Sequence, residues 1–260
     1  MMTSLAELIC RIRDEFLDDI KGSDDDIGSF RWSSRNITNA INESVREVAK
    51  RCLIIDDYMT QSICQLALTA DSNGNYPQSL QLSSKILRIR FVLFPRENST
   101  TQFHELTRTS TDRMNSGHRG ESGGGWHNDS FEPWAWLGHK GHVKRFMTDM
   151  QSGYITFDRQ PLYGGTVKLG VYRLPLKDIE YKDMNAAEQT YPEIQEQDIV
   201  LIHGALKHLY SKEYSRKDSE TFDAVEMDRW YKEFEKDIDK ITQEKAIMQP
   251  RNTIVRPEPF

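Results

Sequence analysis

Apolar positions follow a helical period at both ends of the chain and a two-residue period in its middle. Leu5, Leu8, Ile9, Ile12, Phe16 and Ile20 fall on one helical face. They follow the capping box Ser4-Leu5-Ala6-Glu7, in which serine and glutamate each satisfy a backbone donor of the first turn. The helix is expected to end at Gly22 and the run Ser23, Asp24, Asp25, Asp26. A second helix is expected to start at Trp32-Ser33-Ser34, with Ser33 as N-cap and Trp32 stapled onto Ile37. Its apolar stripe is Ile37, Ile41, Val45, Val48 and Cys52, and the two helices would pair as an antiparallel hairpin.

From about Ile54 the period changes to two. Cys64, Leu66 and Leu68 alternate with polar or small neighbours, and Asp71-Ser72-Asn73-Gly74 reads as a turn. Leu87, Ile89, Phe91 and Leu93 are expected on the core face of a strand, with Arg88 and Arg90 on the opposite face. Tyr154, Thr156, Val167, Leu169 and Val171 continue the strand signal across a Gly164-Gly165 turn. The stretch 113–145, rich in glycine and containing Trp126, Trp134 and Trp136, has neither period and reads as a long loop. Helical spacing returns with Ile194, Leu201, Ile202, Ala205 and Leu209, behind Pro192 in a first turn. A last helix, expected from near Ser219, carries Met227, Trp230, Tyr231, Phe234, Ile238 and Ile241. Beyond it, Pro250, Pro257 and Pro259 forbid helix, which makes the end an extended tail.

The fold class this order implies is α+β: a four-helix bundle with an inserted β-rich domain and an extended C-terminal tail. The expected boundaries are 1–56 for the N-terminal helical hairpin, 57–190 for the β-rich domain with its loop at 113–145, 191–246 for the C-terminal hairpin, and 247–260 for the tail.

Composition narrows the function classes. A formal net charge of −6 supplies no broad basic footprint for tight nucleic-acid binding. Cys10, Cys52 and Cys64 form no CxxC pair, and an odd set of three reads as reduced, mostly buried thiols. Glu7, Asp14 and Glu15 interrupt the apolar N-terminus, so it does not read as a signal peptide, and no apolar run is long enough for a membrane span.

Chemical motifs are sparse. The chain contains no GxxxxGK[ST], GxSxG or HExxH sequence. His127, Asp129, His139 and His142 are a conceivable zinc or manganese set for a metal-dependent hydrolase, but their spacing matches no established pattern, and solvated loop histidines are the simpler reading. His203 and His208 lie roughly 140° apart around a helix and share no face. Asp24, Asp25 and Asp26 lack the glycine and closing glutamate of a calcium loop. Lys85, Arg88, Arg90, Arg108 and Arg113 could form a basic strip; the solvated face of an amphipathic strand explains them with fewer assumptions. A DNA-packaging role for the N-terminal hairpin meets the acidic connector between its helices, which opposes phosphate contact.

Read in order, "LAELICRIRDEF", "FRWSSRNITNAINESVREVAKRC", "ILRIRFVLF", "LTRTSTDRM", "GYITFDRQPLYGGTVKLGVYRLP" and "IVLIHGALKHLYSKEYSRKDSETFDAVEMDRWYKEFEKDI" resemble the adaptor proteins of podophage-type head-to-tail connectors, also called head-completion or tail-tube gatekeeper adaptors. The resemblance implies a non-enzymatic structural subunit with no cofactor. It implies a dodecameric ring that docks on the portal protein, extends the channel for the passing genomic DNA, and offers a surface to the tail nozzle or tail tube protein. Such a subunit belongs to the virion at the head–tail interface, after assembly in the host cytoplasm. The portal-docking tail would be carried by Arg251, Ile254, Val255, Arg256, Pro257 and Phe260. Trp126, Trp134 and Trp136 are expected at a subunit or nozzle interface, because tryptophans are enriched among residues that anchor interfaces.

Overall fold

A computed structural model describes residues 3–17, 32–97, 101–110, 138–194, 197–215 and 224–248. The chain divides into a helical unit, built from residues 1–55 and 175–260, and a β-rich unit of residues 56–174 that lies between them in sequence. The class is mixed α+β, as the periodicity implies.

In the helical unit, α1 (Leu5–Arg11) is capped by Ser4, whose hydroxyl accepts from Glu7 N at 3.2 Å. The expected long α-helix does not continue unchanged: it widens into a π-helical turn over Ile12–Leu17. Helix α2 (Ser34–Cys52) starts at Ser33 as expected, with the Ser33 hydroxyl accepting from Asn36 N at 3.3 Å. It ends at Leu53, a non-glycine residue in the left-handed region with φ 50°. Lys245 compensates by donating to the carbonyls of Cys52 and Leu53, which satisfies the exposed C-terminal acceptors.

Two more long helices complete the core. We label the short helix Met184–Glu188 α4, Asp198–Ser215 α5 and Ala224–Met248 α6. Helix α5 is central: Val200, Leu201, Ile202, Ala205, Leu206, Leu209 and Tyr210 are all buried, and it packs on both α2 and α6. Trp230, Phe234, Ile238 and Ile241 form the buried stripe of α6. Trp32 packs its ring edge-on against Tyr210 at 5.1 Å, which places the expected staple residue on α5.

Among the described residues, three long helices carry this core, and they do not make the expected bundle of four matched helices. Helix α1 packs chiefly on the short α4, and α2 packs chiefly on α5, so the N-terminal pair is not a self-contained hairpin. Residues 175–190 also belong here, although the expected boundary put them in the β-rich domain. Their anchors are reciprocal hydrogen bonds between the Asn42 side chain and the Ile179 backbone, at 2.8 and 3.0 Å, and the bond from Leu5 N to Thr190 O. Pro192 precedes the long helix without entering it, since α5 starts only at Asp198.

The β-rich unit holds two main sheets. The first is five-stranded and joins β1 (Asp56–Asp57), β2 (Gln65–Leu68), β4 (Ile86–Pro95), β5 (Phe103–Glu105) and β11 (Gly165–Arg173). Its central pair, β4 and β11, is antiparallel, and β11 also pairs with β1 and β2. The second orders β3 (Ser79–Gln81), β9 (Tyr154–Phe157), β8 (Arg145–Met147) and β6 (Thr107–Arg108). A parallel pair, β7 (Lys140–Gly141) with β10 (Gln160–Pro161), lies beside them, and a helical turn α3 (Gln61–Cys64) leads into β2. The inner faces share one core in which Phe94 meets Phe157 edge-on at 5.2 Å, among Val92, Val167, Leu169, Phe146 and Ile155. The turn at Asp71 forms as expected: its carboxylate accepts from Asn73 N and Asn75 N, and Gly74 takes φ 75°.

The expected alternation in β4 fails halfway. Ile89, Val92 and Phe94 are buried, whereas Phe91 and Leu93 are only half-buried. The cause is the register with β11. Gly170 pairs with Phe91 and Val171 with Ile89, so Arg90 is an extra residue; Tyr172 pairs with Arg88 and Arg173 with Ile86, so Leu87 is another. Each bulge moves all later side chains to the opposite face.

Candidate functional site

The first bulge builds the most distinctive surface of the β-rich unit. Register places Arg88, Phe91 and Leu93 on the same face as Lys168, Gly170 and Tyr172, and β5 adds Phe103 and Glu105. This is the outer face of the sheet, where Arg88, Arg90 and Lys168 are exposed and Phe91, Phe103 and Tyr172 are half-buried. The Phe91 ring covers Gly170 so closely that a Cβ there would meet it at 2.2 Å, so the glycine is what lets the ring lie across the sheet. Lys168 Nζ sits 4.3 Å from the Phe103 ring centre and the Arg90 guanidinium 5.4 Å from that of Tyr172, within cation–π range. Asp56 on β1 also holds Arg90. Aromatic faces and cations thus alternate across three adjacent strands.

A second cluster lies on the same unit and is mostly buried. Asp57 accepts from five donors: Met59 N at 2.9 Å, Thr60 N at 3.0 Å, Thr60 Oγ1 at 2.6 Å, Cys64 Sγ at 3.5 Å and Arg173 Nε at 2.5 Å. Burial would raise the carboxyl, but the Thr60 hydroxyl and amide, Arg173 and the Met59 amide hold it well below the usual carboxylate range. Burial, with Asp57 alongside, pushes the Cys64 thiol up to about 11, which removes it from nucleophilic chemistry at neutral pH. The cluster pins a turn whose tip exposes Tyr58 and Met59. Its chemistry is that of a structural lock.

The third cluster ties together the helical unit. Lys207 Nζ donates to Glu47 Oε1 at 2.7 Å and Oε2 at 2.9 Å, and its ammonium also lies 4.5 Å from the Phe234 ring centre. His208 Nε2 is 3.1 Å from Glu47 Oε2, a close polar contact off the hydrogen-bond axis. Arg51 forks onto Glu235 through two bonds of 2.6 Å, and His203 Nδ1 meets Asp237 Oδ2 at 2.7 Å. His208, outweighing the cost of burial, and then Lys207 hold the Glu47 carboxyl at about 2. Sequence spacing correctly separates His203 from His208 on the helix. It misses that each has a carboxylate partner on a different neighbouring helix.

This network makes acid stability testable. Glu47 falls from its ordinary 4.5 to about 2, so its contribution is complete above pH 4.5 and is lost as the pH drops towards 2. Glu47→Gln is expected to lower stability at neutral pH by about 1–3 kcal/mol, because Lys207 keeps its charge while losing its partner. Across that acid window the variant should lose less stability than the wild type. Urea titrations at a series of pH values measure both effects, and parallel pH curves for the two proteins would contradict the assignment.

The residues singled out by sequence fare unevenly. Trp126, Trp134, Trp136, Arg113, His127, Asp129 and the tail residues Arg251, Ile254, Val255, Arg256, Pro257 and Phe260 lie outside the described residues. His142 faces the Tyr163 ring at 6.4 Å, and the His139 carbonyl accepts from Gln160 N. Among the described residues, no three His, Cys, Asp or Glu side chains converge closely enough to share a metal ion. No described helix is long and apolar enough to cross a membrane. No protein-family model matches the chain, and a search of curated proteins finds no significant match.

Proposed function

We propose that this chain is a structural adaptor subunit of a phage head-to-tail connector, a subunit with a helical core and an inserted β-rich unit that forms a dodecameric ring on the portal protein. The observation that carries the proposal is the order of elements. Helices from both ends of the sequence make one unit, and a two-sheet β-rich unit is threaded between them. The ordered motifs that resemble such adaptors fall on these elements: the described part of "FRWSSRNITNAINESVREVAKRC" on α2 and its cap, "ILRIRFVLF" on β4, and the described parts of the last quoted string on α5 and α6. In this reading the ring extends the DNA channel without sequence-specific binding and presents the tail nozzle or tail tube protein with an attachment surface. The work is assembly, with no catalytic residue or cofactor.

Residues 249–260 would dock on the portal through Ile254, Val255 and Phe260, with Arg251 and Arg256 pairing with portal carboxylates. Three prolines keep such a segment extended and reduce the entropy lost on docking. Deleting 249–260 is expected to leave the melting temperature of the free protein unchanged while abolishing its co-sedimentation with portal. Unchanged portal affinity in the truncated protein would sink the docking role of the tail.

A further inference from the structure

We propose that the outer face of the five-stranded sheet is a binding platform for single-stranded nucleic acid, with bases on Phe91, Phe103 and Tyr172 and phosphates on Arg88, Arg90 and Lys168. The inference is independent of the adaptor reading and goes beyond it.

A base that stacks needs a ring that lies across a surface. Phe91 does so because Gly170 leaves the space beneath it. Tyr172 is two residues along β11 from Gly170, and Phe103 lies on the neighbouring strand on the far side of β4. Same-face positions on a strand are about 7 Å apart and neighbouring strands about 5 Å apart, so the three rings form a diagonal path. Bases of any sequence can stack along such a path, because every base has a π-face.

The cations are placed for the backbone of the same strand. Lys168 and Arg90 currently lie over the Phe103 and Tyr172 rings, where they screen apolar surface from water. Each sits on a long, flexible stem. An arriving base can take the ring face while the ammonium or guanidinium turns outward to a phosphate, exchanging a cation–π contact for a stronger charge-assisted hydrogen bond. Arg88, registered opposite Tyr172, is exposed and has no ion-pair partner among the described residues. Among the described residues, Asp56 and Glu105 are the carboxylates on this face, and Asp56 is taken up by Arg90. The field is therefore weakly positive on a chain whose formal net charge is −6. Contacts of this kind are short-ranged, strongly salt-dependent and indifferent to sequence.

Duplex DNA presents phosphates but hides its bases, so the platform separates the two forms. Fluorescence anisotropy with labelled oligothymidylate and with a duplex of equal length tests this on the full chain. The expected result is salt-sensitive binding of the single strand and weaker binding of the duplex. Phe103→Ala is expected to weaken single-strand affinity by roughly fivefold to a hundredfold, the range that loss of one stacked base produces. Arg88→Gln with Lys168→Gln changes exposed side chains, should leave the fold intact, and should lower affinity while flattening its salt dependence. No single-strand binding at low salt would overturn the proposal, as would equal affinity for duplex or undiminished binding by both variants. Altered self-association with no effect on nucleic acid would make the face an interface between copies of this chain, and would also overturn it. Portal binding by the same variants is scored separately, so loss of one reading leaves the other intact.

Discussion

Asp57→Ala is expected to lower the stability of the β-rich unit by about 3–5 kcal/mol, the usual result of removing one partner from a buried ion pair. Asp57 and Arg173 have side-chain exposures of 6% and 9%, so the guanidinium would remain in a low-dielectric site stripped of its bond to the Asp57 carboxylate. The same substitution strips the acceptor from Thr60 Oγ1 and from the amides of Met59 and Thr60, loosening the turn into α3 and β2. The double variant Asp57→Ala/Arg173→Leu should recover part of the loss, because it removes both members of the buried pair and fills the space with apolar volume. Thermal melts, read with hydrogen exchange over residues 56–68 and 165–173, measure both. A loss below about 0.5 kcal/mol, the size of an ordinary surface change, would show that Asp57 does not pin this unit.

Gly204→Ala should have the opposite sign to the usual helical substitution. In the interior of an exposed helix the change stabilises by about 0.8–1.0 kcal/mol. Here a Cβ at position 204 would lie 2.1 Å from Ser44 Oγ, 2.9 Å from Ser44 Cβ and 2.8 Å from Phe234 Cε2. Ser44 and Phe234 are both 0% exposed, so neither can swing into solvent. The helices must separate instead, at a cost of about 1–3 kcal/mol typical of an overpacked core. Ser44→Gly in the same chain should restore much of the loss by moving the small residue to the other side of the crossing. Urea midpoints of the single and double variants decide this; a Gly204→Ala protein more stable than the wild type would mean that α2 and α5 do not cross so closely.

The parts of this architecture readable from sequence are those set by local periodicity and capping. Ser4 and Ser33 cap where short polar side chains precede apolar stripes, Asp71 to Gly74 turn, and Trp230, Phe234, Ile238 and Ile241 of the expected α6 stripe are buried, whereas Met227 is half-buried and Tyr231 is exposed. What escaped depends on partners distant in sequence. The outer aromatic face was hidden because Phe91 and Leu93 keep perfect alternation with Ile89, and only pairing with β11 shows that Arg90 is an added residue. Nothing in its local sequence marks Glu47 on α2, because its partners Lys207 and His208 come from α5. No local pattern assigns residues 175–190 to the helical unit, because their hold on it runs through Asn42, more than a hundred residues earlier. Asp57 showed no signal at all, since its partner Arg173 is at the far end of the β-rich unit's sequence.

The central claim, that this chain is a ring-forming connector adaptor, is tested most directly by negative-stain imaging of the purified protein mixed with its cognate portal. The expected free protein is a monomer or weak oligomer, since its net charge of −6 opposes self-association at low salt. The mixture should show portal rings extended along their axis by an added ring with twelve-fold symmetry, and the 249–260 deletion should leave the portals bare. Portals that stay bare with the full-length protein, beside a tight dimer that portal does not alter, would contradict the account.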